Sequence, residues 1–388
     1  MVDGNLRPGF ATRLAALYAA FFIVAGISQP FFPVWLKAKG LDATTIGIVL
    51  AMPQLLRILA IPLVTRAADR RDALREALVV TTSLTIVGYV LVGFAEGAPA
   101  ILVLYALASL AFTPVMPLAE TYAFKGLTAR GRAYGPVRLW GSLTYIFGTF
   151  LAGFATDAIP ARHLIWLIAG ASVLNALTAC WLPPLSTPVP SASAEQSARK
   201  PLLRDPAFLA VLAAASLIQA SHAVFYGFSA LEWRGAGLDG TIVAALWGLG
   251  VLAEIVLFAF SGRLPPFFQP IALMMIGAAG ATLRWGVMAL DPPTLALPFL
   301  QLLHALSFGA THLGTLTYVA RTTPHGQSAT AQGYLAIALG AVMAGAMGLS
   351  GVLYAAFGVR AYAAMALAAI VGGTCALVAQ RARGHAVD

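Results

Sequence analysis

Charge is the scarcest feature of this chain. Of 388 residues, 10% are Asp, Glu, Lys or Arg, against about 25% in ordinary soluble domains. So few charges cannot cover the surface of a water-soluble protein of this length. With 60% of residues apolar, a bilayer is the expected solvent. Cysteine is scarce too: Cys180 and Cys375 are the two present. They are too few for a disulfide framework and fit no metal spacing, so both read as small buried hydrophobes. Acidic residues number 15 against 24 Lys and Arg, a net charge of +9. In a soluble protein that balance would raise nucleic acid as a partner; here Lys/Arg-rich cytoplasmic loops account for it, and no nucleic acid is expected. Neither paired acids nor a His/Asp set stands near a membrane interface. An enzyme is therefore not expected, nor any cofactor or metal.

What is present is long apolar runs. About 20 apolar residues cross a hydrocarbon core as a helix. The runs at 14–36, 44–65, 76–95, 99–123, 137–156, 163–182, 207–231, 241–261, 270–290, 295–319, 329–355 and 361–380 predict twelve spans. The first is too long for a signal-peptide core and no small-residue cleavage site follows it, so it is expected to be retained. The last two are rich in Gly and Ala, which suits close helix packing in lipid.

Lys and Arg placement predicts the orientation. With the N-terminus inside, cytoplasmic segments hold seventeen of the 24, including Arg66, Arg70, Arg71 and Arg75, then Lys125, Arg130, Arg132 and Arg138. Outside loops hold five, and Arg57 and Arg284 lie within spans. Both termini are therefore expected in the cytoplasm of a multi-pass protein of the inner (plasma) membrane.

Residues 183–205, PPLSTPVPSASAEQSARKPLLRD, are polar and rich in Pro and Ser, the composition of a linker. They separate an N-terminal half, 1–182, from a C-terminal half, 206–388, each of six spans. A shift of 197 residues lays Gly40-Leu41-Asp42 on Gly237-Leu238-Asp239, Thr44 on Thr241 and Arg66 on Arg263. Six-span internal repeats are a common build of secondary transporters. The expected fold class is thus an all-α polytopic membrane protein, twelve transmembrane helices in two pseudo-symmetric halves. The same shift sets Arg57 opposite Glu254.

A charge inside a span costs about 2.5–3.5 kcal/mol on insertion scales, so such residues face the bundle interior and are functional candidates by default. The first half offers Arg57, Glu120 and Arg138, with Glu120 and Arg138 near enough to the cytoplasmic side to pair. The second half offers Glu254, Arg284 and His304, with His312 further along the tenth span. That span carries a polar stripe of His304, Ser307, Thr311, Thr315 and Tyr318; the seventh carries Gln219, His222 and Tyr226. Polar stripes in lipid serve as interhelical glue as well as pore lining. At about 1.5 Å per residue, Glu254 lies about 10 Å nearer the cytoplasm than Arg284, with His304 between them, so a relay through His304 or water is expected. A titratable group inside the membrane is what proton coupling needs. Glu254 ranks first, then His304, then Glu120.

These features resemble the major facilitator superfamily, although the loop after the second span keeps only Asp69-Arg70 of that family's G-x-x-x-D-R-x-G-R-R pattern. Almost end to end, the chain is similar to the 3-phenylpropionate permease-like group of proton symporters, distant relatives of lactose permease. The matching segments are Pro30-Phe31 with Val34-Trp35-Leu36-Lys37, Tyr134-Gly135 with Val137 to Ser142, and His222 with Tyr226 to Ala230. Ala253-Glu254, Arg284-Trp285-Gly286, His304 and His312 follow. The resemblance implies a proton-coupling set of Glu254, His304 and Arg284, and a substrate set of Arg57, Glu120, Arg138, His222, Tyr226 and His312. It departs at Ser307, where lactose permease has a carboxylate, which again favours Glu254. Phe31, Trp140, Tyr226 and Trp247 are the candidate aromatic walls. The expected function is alternating-access proton symport of a small organic anion, an aromatic carboxylate such as 3-phenylpropionate. Proton symport of a neutral sugar or nucleoside is the alternative. The expected partners are that substrate, protons and the lipid bilayer, for a monomer.

Overall fold

The computed structural model describes residues 9–185, 202–263, 265, 268–324 and 327–384. Most of the 183–205 linker lies outside the described residues. Among those described there is helix and no strand. This is what a bilayer imposes on a chain with no closed barrel, because a helix satisfies its own backbone hydrogen bonds.

Eleven stretches are long and apolar enough to cross a membrane. The last, Thr330–Ala382, has 53 residues, about 80 Å of helix at 1.5 Å per residue, far more than a core of about 30 Å. It holds two helices with a tight corner at Gly358–Ala361 between them, which makes twelve. We label them α1 (Phe10–Ala38), α2 (Ala43–Arg70), α3 (Leu74–Phe94), α4 (Ala98–Thr128), α5 (Gly135–Ala158) and α6 (Leu164–Trp181). Then follow α7 (Pro206–Gly235), α8 (Gly240–Phe260), α9 (Pro270–Met288), α10 (Thr294–Thr322), α11 (Ser328–Phe357) and α12 (Tyr362–Gly384). Large apolar side chains such as Leu63, Phe94, Phe154 and Leu295 stay exposed, as lipid-facing positions must.

Two compact units are present. The first comprises Met1–Leu41, Leu59–Pro188 and Asp239–Ala244. Its core gathers Leu14, Leu17, Tyr18, Leu118 and Tyr122. Here α1 and α5 approach at backbone distance: Gly26 and Gly148 leave no room for a Cβ, and the Thr149 hydroxyl donates to the Gly26 carbonyl at 3.0 Å. Small residues permit such contact where no hydrophobic force drives helices together. The second unit comprises Asp42–Ile58, Val189–Leu238 and Ala245–Asp388. Its core gathers Phe208, Val211, Ile271, Met274 and Tyr318.

The corners after α1 and α7 are built alike. In one, Leu41 N–H donates to Leu36 and Gly40 N–H to Lys37; in the other, Leu238 N–H donates to Trp233 and Gly237 N–H to Arg234. Gly40 and Gly237 have φ of 85° and 88°. This is the left-handed helix stop that glycine adopts without strain. The repeated Gly-Leu-Asp triplet is therefore a repeated turn. After it, Asp42 caps α2, accepting from the Thr45 N–H at 2.9 Å and the Thr45 hydroxyl at 2.9 Å. At the start of α8 the cap is supplied by Asp157 at the end of α5. It accepts from Gly240 N–H (2.7 Å), Thr241 N–H (3.0 Å) and the Thr241 hydroxyl.

Two outcomes follow. Asp157→Ala leaves two N–H groups of α8 without their acceptor and costs about 1 kcal/mol, read as a lower melting midpoint of the purified protein. The Asp42 carboxyl is held below its ordinary value by the Thr45 N–H. Its stabilisation is therefore present above the ordinary carboxylate range and fades as pH falls through the lowered value. The melting difference between wild type and Asp42→Ala should shrink over that acid window and stay constant above it.

Candidate functional site

The polar centre of the second unit sits where helices depart from regularity. In α7 the helix runs Pro206–Ala220, turns at Ser221 and His222, and resumes at Ala223–Gly235. No proline or glycine marks the break. It is held by side chains: the Ser221 hydroxyl donates to Ile218 at 2.6 Å, and His222 Nδ1 lies 3.1 Å from the Gln219 carbonyl. In α10 the turn Ala305–Ala310 is widened to a π-helix, a feature frequent at functional sites.

These irregularities converge on Arg284 of α9, which is 1% exposed. Its Nη1 lies 3.1 Å from His304 Nδ1 and 3.5 Å from the Ser307 hydroxyl, and its Nη2 donates to Gln301 Oε1. On the far side of the His304 ring, Nε2 lies 3.5 Å from a Glu254 carboxylate oxygen on α8. Ser307 also reaches His222 Nε2 at 3.1 Å. A continuous chain thus runs Glu254, His304, Arg284, Ser307, His222, drawn from α8, α10, α9 and α7. The guanidinium lies 4.5 Å over both the Phe225 and Trp285 rings. Trp247 stacks on Phe225 at 4.6 Å, and the Trp285 indole N–H donates to Ser221 at 2.9 Å. Cation–π contact of this kind is worth about 2 kcal/mol or more when desolvated. Three buried N–H donors near this chain have no hydrogen-bond acceptor among the described residues: Arg284 Nε, Gln301 Nε2 and Trp247 Nε1.

Glu254 and Arg284 each contact His304, which stands between them. His222 has both ring nitrogens engaged by protein atoms and is fully buried. It therefore stands in the chain and has no ring nitrogen to offer a substrate. Tyr226 stacks beside it at 5.6 Å. His312 is the third ring of a ladder, His304, Phe308, His312, with centroids 5.2 and 5.8 Å apart and planes nearly parallel. The polar stripe of α10 divides. Ser307 joins the chain, whereas the Thr311 and Thr315 hydroxyls bond back to their own helix, and Thr311 packs against Gly277 of α9.

The first unit holds a separate group. Tyr134 donates to Glu120 Oε1 at 3.4 Å, and burial pushes the Tyr134 phenol up, which keeps its proton in place. Arg138 lies 4.2 Å over the Phe22 ring and 5.8 Å over Tyr18. Glu120 and Arg138, placed near enough to pair by sequence, form no ion pair within 4.0 Å among the described residues; tyrosine and aromatic faces take those partners' places. Arg57 belongs to neither group. It donates to Gln54 at 3.4 Å, and its stem lies against Gly340 of α11. Trp140, a candidate wall, is 54% exposed and borders a recess with Ala15 and Ala19 of α1. Gln301 and Ser221 escaped the sequence reading. Gln301 had a signal, a polar side chain three residues before His304 in an apolar run; Ser221 gains meaning only from the break it holds.

Twelve spans with a buried chain of polar and ionisable side chains between helices are the build of a solute transporter of the major facilitator type. The chain belongs to the MFS_1 like family, whose model matches residues 11–364. It is 32% identical over 368 residues to the "Probable 3-phenylpropionic acid transporter" of Escherichia coli (strain K12), covering 93% of this chain and 96% of that protein. It is 28% identical over 327 residues to the "Maltose permease" of Geobacillus stearothermophilus, covering 82% and 81%. In fold it is similar to a mutant of the nucleoside transporter NupG, at a TM-score of 0.84 and 16% identity, covering 96% of this chain and all of that one.

Ser307→Ala should destabilise the protein by about 1–3 kcal/mol, because it leaves His222 Nε2 buried without a partner. The check is thermal unfolding beside Thr315→Val, which removes only a hydroxyl bonded to its own helix and should cost less.

Proposed function

We propose that this transporter is an alternating-access symporter that carries a small organic anion, an aromatic carboxylate such as 3-phenylpropionate, together with protons. The observation that carries the reading is Arg284. It is a buried cation against two adjoining aromatic rings, and both it and its partner Gln301 retain a donor without an acceptor. A carboxylate with an aromatic ring fits both halves of that environment: its oxygens accept charge-assisted N–H bonds, and its ring continues the stack of Phe225 and Trp247. The name of the relative in Escherichia coli supports the same class.

Glu254, His304 and Arg284 are the proposed coupling set. Arg57, Glu120, Arg138, Tyr226 and His312 are kept as substrate-side candidates, with His222 moved to the coupling chain. Two related halves, 1–182 and 206–388, joined by the 183–205 linker, are proposed on the strength of the repeated helix stop. The proposed setting is the inner membrane, both termini cytoplasmic, as a monomer. Proton symport of a neutral sugar or nucleoside is the second reading, supported by the similarity to a maltose permease.

Uptake of labelled 3-phenylpropionate into proteoliposomes should be concentrative under an inward proton gradient and collapse with a protonophore. Labelled maltose or a nucleoside accumulating in its place would overturn the anion reading. Glu254→Gln should bring the accumulation ratio down to unity while exchange of internal for external substrate continues. A variant that still accumulates uphill would remove Glu254 from coupling.

A further inference from the structure

Hydrogen-bond geometry places the protons of the two histidine rings. A guanidinium only donates, so the His304 Nδ1 facing Arg284 at 3.1 Å is bare. The ring's one proton is then on Nε2, directed at the Glu254 carboxylate 3.5 Å away. A carbonyl only accepts, so the His222 Nδ1 facing Gln219 carries the hydrogen. Its Nε2 accepts from the Ser307 hydroxyl, and Ser307 accepts in turn from Arg284. The hydrogen-bond pattern therefore assigns the two histidines as neutral rings of opposite tautomer. A second proton can enter His304 only at Nδ1, the position the Arg284 N–H occupies.

We infer that Arg284 is an interlock: His304 takes up a proton only when a bound anion draws Arg284 away from it, so one proton travels with each monoanion. The inference rests on the proposed symport of an organic anion. Charge counting supplies the ratio. With Glu254 ionised, the empty cluster holds one negative and one positive charge beside two neutral rings. An anion engaging Arg284 leaves one uncompensated negative charge, and a proton on His304 Nδ1 restores neutrality. The imidazolium keeps its Nε2–H toward Glu254, and its new Nδ1–H points toward the space the guanidinium has left. Uncompensated charge in a low-dielectric interior is costly, so anion and proton each favour the other's binding. The groups that face His304 among the described residues enter this account. Arg284 comes from α9, Glu254 from α8, His222 from α7, and Gln301 and, through Phe308, His312 from α10 itself. Tyr226 of α7 and Tyr362 of α12 face Arg284.

The test is heteronuclear NMR of purified protein labelled at its six histidines, with His304→Gln assigning the resonance. In ligand-free wild type at about pH 6, where an ordinary histidine is largely charged, His304 should show a bare, pyridine-type Nδ1. Saturating 3-phenylpropionate should convert it to imidazolium, and Arg284→Gln should give imidazolium with no ligand present. An imidazolium His304 in the ligand-free wild type, or a bare Nδ1 that survives Arg284→Gln, would overturn the interlock. If Arg284→Gln fails to fold, the wild-type ligand titration decides: a bare Nδ1 that survives saturating 3-phenylpropionate at about pH 6 overturns the interlock. In proteoliposomes, uptake driven by a pH gradient should be unaffected by an imposed membrane potential. A current accompanying uptake would overturn the one-to-one ratio. Should 3-phenylpropionate neither bind nor be taken up, the substrate reading fails while the ligand-free spectra still decide the interlock.

Discussion

A guanidinium keeps its charge at ordinary pH, and a buried one needs most of its surroundings arranged around it. The second unit can be understood as that arrangement around Arg284. Phe225 and Trp285 lie against the cation from adjoining sides; Gln301, His304 and Ser307 meet its two terminal nitrogens; the Glu254 carboxyl stands one ring further out. Those contacts in turn explain local backbone that would otherwise be unfavourable in a membrane. The break in α7 frees carbonyls at Ile218 and Gln219, and Ser221 and His222, themselves tied to Trp285 and Ser307, satisfy them. The widened turn of α10 spans Ser307. Irregular helix is tolerated at membrane depth where protein groups re-satisfy it.

The two units share a motif and differ in chemistry. Their helix stops at Gly40 and Gly237 match bond for bond, yet their polar centres do not. In the first unit Glu120 is held by a tyrosine and Arg138 lies on aromatic rings. In the second the carboxylate and the guanidinium are bridged by an imidazole. A tyrosine that keeps its proton does not change charge near neutral pH, whereas an ordinary imidazole does. This difference sets a buried imidazole beside the guanidinium in the second unit and leaves the first with a cation on an aromatic surface.

Much of the fold was legible in the chain because membrane burial writes itself into composition. Twelve spans follow from apolar run length, and the repeat was visible through one triplet whose glycine has a required backbone conformation. The candidate residues were legible for the same reason: an ionisable side chain in lipid is conspicuous. Depth alone predicted that His304 lies between Glu254 and Arg284. Depth carries no azimuth, however. It put Glu120 and Arg138 within reach of each other, and the structure gives each a different neighbour. Helical periodicity also assumes a regular helix, so the break at Ser221–His222 and the wide turn at Ala305–Ala310 were hidden, since neither contains the proline that marks such breaks.

Sequence by itself determined that the chain lives in a bilayer, how often it crosses and which side chains are too polar to face lipid, because those properties depend on residue type and spacing along one axis. Tertiary structure alone decided which of those side chains meet. Only the packing of α7, α8, α9 and α10 brings a serine hydroxyl between His222 and Arg284 and turns a guanidinium N–H onto His304. The physical reason is that hydrogen bonds are angular and short, a few ångströms in three dimensions, while a sequence records only order.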